Sequence, residues 1–264
     1  MNKALQQKPE IDKLNNEGYG IVDMHVHSDY SCDGAVKVDD LLKKARQLGI
    51  GLAITDHNKI EGSIEAARKS NGVLIIPGIE LRSREGIDIL IYFYKISEMK
   101  DFYGKHIQGN RKRDVQGSSR LNIVQIVETL KKYRCLVCIA HPYRFYLKKF
   151  FNIMFKTRRN KELFKLFETI EVINGKNLRR KNKKAIRKAN QMSKHFVAGS
   201  DAHRLKDVGN AVTCCKGANT VEEFLDHIVK NRNVIVAGKE AKLSYKVVGP
   251  LMAMRNALFH WVKK

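Results

Sequence analysis

Four short segments of this chain each set histidine or a carboxylate at the end of an apolar run: Asp23-Met24-His25-Val26-His27-Ser28, Thr55-Asp56-His57-Asn58, Ala140-His141-Pro142 and Gly199-Ser200-Asp201-Ala202-His203. Burying so many ionisable groups is costly unless they pair with one another or hold a cation. The fold must therefore bring several strand ends to one place. Alternate strand residues share a face, so His25 and His27 point the same way and can grip one ion. Asp23, two residues earlier, is expected on that face as well, orienting a ligand from behind. Imidazole combined with carboxylate suits zinc, manganese or iron.

The rest of the chain supplies the scaffold. Residues 20–24, 51–55, 73–79, 87–93, 135–140, 169–173, 195–198, 211–214 and 234–236 read as strands. Residues 38–48, 60–70, 121–133, 178–193 and 220–231 read as helices, the first with Leu41, Leu42, Ala45 and Leu48 on one face. The continuous apolar runs 73–79 and 87–93 predict strands buried in a parallel sheet. Such alternation points to an α/β barrel or a doubly wound sheet. Barrel enzymes place their chemistry at the C-terminal strand ends, where all four segments lie. A single domain is expected over residues 1–240, with basic insertions near 97–119 and 144–167. Residues 241–264 are expected as a C-terminal helical extension, with Pro250 at its start and Leu251, Met254 and Leu258 on one face.

As a set, these residues resemble the polymerase-and-histidinol-phosphatase (PHP) family of metal-dependent phosphoesterases, over roughly residues 20–209. The resemblance implies an α/β fold, a distorted (β/α)7 barrel, holding two or three divalent ions (zinc, manganese or iron). It implies His25, His27, Glu80 and Asp201 as ligands of a first ion. Glu80 would bridge to a second ion shared with His141, and Asp33, His57 and His203 would surround a third. Many members carry a histidine on the strand after the Glu80 segment. Here Asp88-Ile89-Leu90-Ile91-Tyr92 puts Asp88 in that place, a harder ligand that favours manganese or iron. The implied reaction is hydrolysis of a phosphate mono- or diester by an activated water, whose pKa a bound cation lowers from about 15.7 to about 7. Asp23, Asp56 and His203 are the further catalytic candidates. Arg144, three residues past His141, is expected to clamp the substrate phosphate bidentately.

Charge narrows the substrate. Lys and Arg number 50 against 27 acids, a net +23, and residues 143–195 carry 17 of those bases against 3 acids. Such a field attracts polyanions. Phe145, Tyr146, Phe150, Phe151, Phe155, Phe164 and Phe167 interleave with these bases, the composition with which proteins stack and hold single strands. A nucleotide or a nucleic acid end is therefore the expected substrate, since histidinol phosphate needs no such field. The same segment laid on an anionic membrane would point instead to a lipid-linked or glycan phosphate. A degenerate, metal-stabilised binding module is the non-enzymatic alternative. No apolar run reaches the roughly 18–20 residues of a membrane span. Five cysteines, an odd count, predict reduced thiols and a cytoplasmic location, with attachment at the membrane surface as the alternative. Cys135 and Cys138 read as core residues of a strand.

Overall fold

The computed structural model describes residues 3–114, 117–143 and 147–239. Arg144 and the expected extension 241–264 lie outside the described residues. In chain order the elements are β1 (Lys3–Leu5), α1 (Ile11–Asn16), β2 (Tyr19–Val26), α2 (Val38–Leu48), β3 (Gly51–Ile54) and α3 (Glu61–Lys69). Then follow β4 (Gly78–Arg82), β5 (Asp88–Phe93), α4 (Ile96–Phe102), α5 (Ile123–Leu130), β6 (Cys135–Ile139), α6 (Leu147–Met154) and α7 (Arg158–Phe164). The last are β7 (Phe167–Asn174), α8 (Arg179–Gln191), β8 (His195–Gly199), β9 (Ala211–Lys216), α9 (Val221–Val229) and β10 (Val234–Gly238). The α9 helix starts with a capping box between Thr220 and Glu223, which satisfies two of its orphan N–H groups.

The strands form two five-stranded sheets, ordered β1-β10-β9-β2-β3 and β4-β5-β6-β7-β8. The α/β class holds, and neither sheet closes on itself into the expected (β/α)7 barrel. Isolated parallel bridges join them where the motifs lie, His57 to Glu80 on one side and Val26 to Ala202 on the other. Inward residues of both sheets pack together, among them Met24, Ala53, Leu90, Tyr92, Cys138, Val197 and Cys215. The outward residues pack against helices. Cys214 and Cys215 fall into different apolar groups, as strand alternation requires. Cys135 and Cys138 both lie in β6, and all five cysteines are free.

Several expectations need correction. The strand expected over 73–79 begins only at Gly78, because the preceding residues make single bridging contacts to β3. The pairs β4–β5 and β5–β6 are antiparallel, so full burial on both faces does not here signal parallel pairing. The insertion near 97–119 opens with α4, whose Met99 and Phe102 are buried in the core. Most strongly revised is the stretch 144–167. Phe150, Phe164 and Phe167 are buried and pack edge-on or tilted against one another, with ring centroids 4.9–6.1 Å apart. They are core pillars and offer no faces for stacking bases. Among the described residues the exposed large apolar side chains are Phe155 and Leu205. That is too little for an apolar membrane-binding face, and no described helix is long and apolar enough to cross a bilayer.

Two irregularities build the site. The β2–β3 ladder slips between Asp23 and Val26. Val22 and Met24 pack inward before the slip, whereas Val26 packs outward toward α2 after it. This bulge draws His25 and His27 together at the inner end. A second slip falls between Glu171 and Ile173 in the β7–β8 ladder. Close approach of β8 then fixes β2 in place. A Cβ on Gly199 would sit 2.3 Å from the His25 Cβ and 2.5 Å from its backbone nitrogen. Overpacking of this kind costs about 1–3 kcal/mol or more. At about 2–4 °C per kcal/mol for a chain of this size, Gly199→Ala is expected to lower Tm by about 5–10 °C. Calorimetry showing an unchanged Tm would refute the close approach.

Candidate metal centre

Side chains of three of the four segments meet around one carboxylate, and Asp201 and His203 of the fourth stand beside them. Glu80, on β4, sets Oε2 3.3 Å from His25 Nε2, 3.4 Å from His27 Nε2 and 3.1 Å from His57 Nδ1. Its Oε1 lies 2.9 Å from His141 Nε2. Asp201 Oδ1 stands 3.4 Å from His27 Nε2 and 3.8 Å from His25 Nε2. On the outer side, Asp33 Oδ2 lies 2.9 Å from His203 Nε2 and 3.5 Å from His57 Nε2. Three overlapping groups result: His25, His27 and Glu80; Glu80, Asp88 and His141; and His27, Asp33, His57 and His203. Within each group the ligand atoms lie within 4.8 Å of one another. His27 thus joins the outer set as well as the inner one, which spacing along the chain did not reveal.

These donors fit divalent cations. The Nε2 atoms of His25 and His27 lie 3.1 Å apart, close enough for both to ligate one cation placed beside them. The buried Nδ1 of His57 has no hydrogen-bond partner although Glu80 is adjacent. Burial holds His27 down at about 3, with His203 adding to the effect, so its lone pair is available to a ligand. Burial also pulls His57 down, but Glu80 and Asp33 outweigh it and lift the ring to about 9. His25 is likewise raised, against its burial, by Glu171, Glu80 and Asp201. Burial pushes Glu80 and Asp33 up, yet the surrounding imidazoles hold both carboxyls well below their ordinary range. Ionised carboxylates among imidazoles form the donor set that zinc, manganese or iron accepts.

A shell of buried groups fixes these ligands. Glu171, which the sequence hid inside an apolar strand, places Oε1 2.9 Å from His25 Nδ1 and accepts the His141 N–H at 2.7 Å. It thereby anchors His141 at φ +24°, a conformation non-glycine residues rarely adopt. Asn174 Nδ2 donates to Glu171 and to Asp201 Oδ2, and Asp201 also has a positive φ, +55°. Asp23 accepts the N–H groups of Ser200 and Gly209, both at 2.8 Å, and that of His25 at 3.3 Å. Burial lifts its pKa to about 6 against these hydrogen bonds. Asp56 accepts the Ser28 N–H and hydroxyl, each at 2.6 Å, and burial lifts it to about 7. Neither carboxylate falls in a ligand group, because backbone and hydroxyl donors occupy it.

Asp88 lies in the second group, yet Arg82 forks onto it, with Nε 2.6 Å from Oδ1 and Nη2 2.7 Å from Oδ2. A bidentate guanidinium is the partner Asp88 can hold and a histidine could not. Lys176, also unread in the sequence, brings Nζ to 2.5 Å from His203 Nδ1 and 3.4 Å from Asp201 Oδ1 at the lip of the site.

Comparisons with known proteins identify the family of the chain. The family model described as "PHP domain" matches residues 23–178, and one described as "PHP-associated" matches residues 179–233. The error-prone DNA polymerase of Symbiobacterium thermophilum is 39% identical over 74 residues, which is 26% of this chain and 7% of the polymerase. The DNA polymerase III subunit alpha of Aquifex aeolicus is 38% identical over 63 residues, 22% of this chain and 5% of that subunit. This chain therefore spans only a small part of those relatives. Among solved structures, a two-domain Bacteroides vulgatus protein described as containing a predicted PHP-like metal-dependent phosphoesterase superposes with TM-score 0.58 at 17% identity, over 90% of this chain and 69% of that one. The lesion-specific endonuclease PfuEndoQ of Pyrococcus furiosus superposes with TM-score 0.63 at 16% identity, over 83% and 57%. At such identities the structures speak for the fold alone. With the family model covering more than half of its length, the chain belongs to the PHP domain family.

Proposed function

We propose that this protein is a metal-dependent phosphoesterase whose substrate is a nucleotide or nucleic acid phosphate ester. The observation that carries the reading is the convergence of three ligand groups, linked in pairs through His27 and Glu80. The polymerases and the endonuclease to which the chain is similar support a nucleic acid substrate, as does the +23 net charge. Divalent ions bound here supply Lewis acidity toward a water and a phosphoryl oxygen. Glu80 holds the imidazoles of three strand ends at fixed separations, and Glu171 fixes the ring of His25 and the backbone of His141. Asp23 and Asp56 position the segments that carry the ligands and take no part in bond making. Lys176 adds positive charge at the lip, where a phosphoryl group enters. Arg144, three residues past His141, is the further clamp for that group.

Parallel assays with p-nitrophenyl phosphate, bis(p-nitrophenyl) phosphate, a nucleoside monophosphate and 5′-labelled oligonucleotides test this function. Hydrolysis should depend on added manganese, zinc or iron and stop with EDTA, and the oligonucleotides should be cleaved. Inertness toward every ester with every metal would refute the enzyme. Turnover of small monoesters alone would refute the nucleic acid substrate.

A further inference from the structure

The densest charge on the molecule is α8. Between Arg179 and Gln191 it carries seven Lys and Arg and no acid. Arg180, Lys183, Lys184 and Arg187 are exposed and recur at three- and four-residue spacing, so they form one outward stripe. Among the described residues, no carboxylate is within ion-pair distance of these four. Like charges at this spacing repel, and exposed helices ordinarily relieve that with interspersed acids. The opposite face of α8 is buried through Ala185 and Ala189. It therefore has no apolar side to sink into a membrane.

Two contacts register this helix to the metal centre. Buried Asn182 accepts the Asn174 N–H at 3.3 Å and donates to the Asn174 carbonyl at 3.2 Å. The Asn174 side chain in turn holds Glu171 and Asp201. The N-terminal end of α8 follows three residues after Lys176, at the lip. The helix also adjoins the basic helix α6, because Lys188 Nζ lies 5.0 Å over the Phe151 ring. Phe150 of α6 and Phe164 of α7 are buried and Phe155 beside them is exposed, so among the described residues this surface offers many phosphate-binding cations and little on which bases could stack. Single-strand binders depend on stacked bases, whereas a duplex displays its phosphates outward.

We infer that α8 is a rail for the phosphate backbone of a nucleic acid duplex, fixed in register with the metal centre so that a backbone phosphate of the bound duplex reaches it. This rests on the phosphoesterase reading above and names its substrate as base-paired. At about 1.5 Å per residue, 13 residues span about 20 Å, the reach of about six phosphates of one strand.

The test is the full chain carrying Arg180→Gln, Lys183→Gln, Lys184→Gln and Arg187→Gln together, all at exposed positions. Fluorescence anisotropy with a 20-base-pair duplex across a salt series should show affinity lowered about 10²–10³-fold at 0.1 M salt. The slope of log affinity against log salt should flatten by about 3–4 units, near 0.9 per lost contact. Metal-dependent hydrolysis of bis(p-nitrophenyl) phosphate should be unchanged, which shows the centre intact. Its absence in the parent protein would refute the enzyme and leave the binding result standing. Duplex affinity unaffected by the four substitutions would overturn the rail. So would tighter binding of a single strand of equal length, or retention on phosphatidylserine vesicles without duplex affinity.

Discussion

Glu80→Gln is expected to abolish metal-dependent hydrolysis while leaving the chain folded. The Glu80 carboxylate approaches four imidazoles, and no other described side chain belongs to both inner ligand groups. Gln keeps the volume but removes the charge and turns an N–H2 toward rings that need an acceptor or a cation. Lewis-acid assistance is worth several kcal/mol, and each 1.36 kcal/mol is a decade in rate. The ratio kcat/KM for bis(p-nitrophenyl) phosphate should therefore fall by about 10³-fold or more. Metal content by mass spectrometry should fall by at least one ion per chain. Far-UV circular dichroism should be unchanged. Full metal occupancy with near-parental turnover would sink the idea that Glu80 bridges the centre.

Asp23→Asn should have the largest effect on stability. The parent carboxylate accepts three backbone N–H groups, from β2, from the end of β8 and from Gly209, and thereby ties the strand of His25 and His27 to the loop of Asp201. An amide must turn its N–H2 toward one of those donors, leaving at least one buried N–H without an acceptor. At about 1–3 kcal/mol for each stranded group, the loss is about 2–5 kcal/mol. For a chain of this size that corresponds to a Tm lowered by about 5–15 °C. In the proposed role Asp23 only positions the ligand-bearing segments, so the surviving folded protein should keep its KM. A normal Tm with kcat reduced by orders of magnitude would instead make Asp23 a reacting group.

Much of the centre was legible because its ligands are local in sequence. His25 and His27, Asp56 and His57, and Asp201 and His203 each sit at the end of an apolar strand, and the strand period fixes their relative faces. The supporting residues were not legible. Glu171 lies inside an apolar run that reads as a plain strand, and its partner His25 is 146 residues away. Lys176 reads as one more base in a basic region until Asp201 and His203 fold beside it. Three aromatics of 144–167 were misread for the same reason. Phe150, Phe164 and Phe167 share an interleaved pattern that fits a stacking surface and a packed core equally well. Burial decides between the two, and burial belongs to the fold.

The sequence by itself determined that histidines and carboxylates gather at the strand ends of an α/β domain, since the period of a strand and the chemistry of imidazole and carboxylate are local properties. The tertiary structure decided the rest. Bulges in β2 and β7 turn the ligands inward, isolated bridges join two five-stranded sheets at the site, and Arg82 occupies Asp88. Phe150, Phe164 and Phe167 move into the core, and a helix of cations lies outside. Each of these depends on which distant atoms meet, and neither periodicity nor composition encodes that.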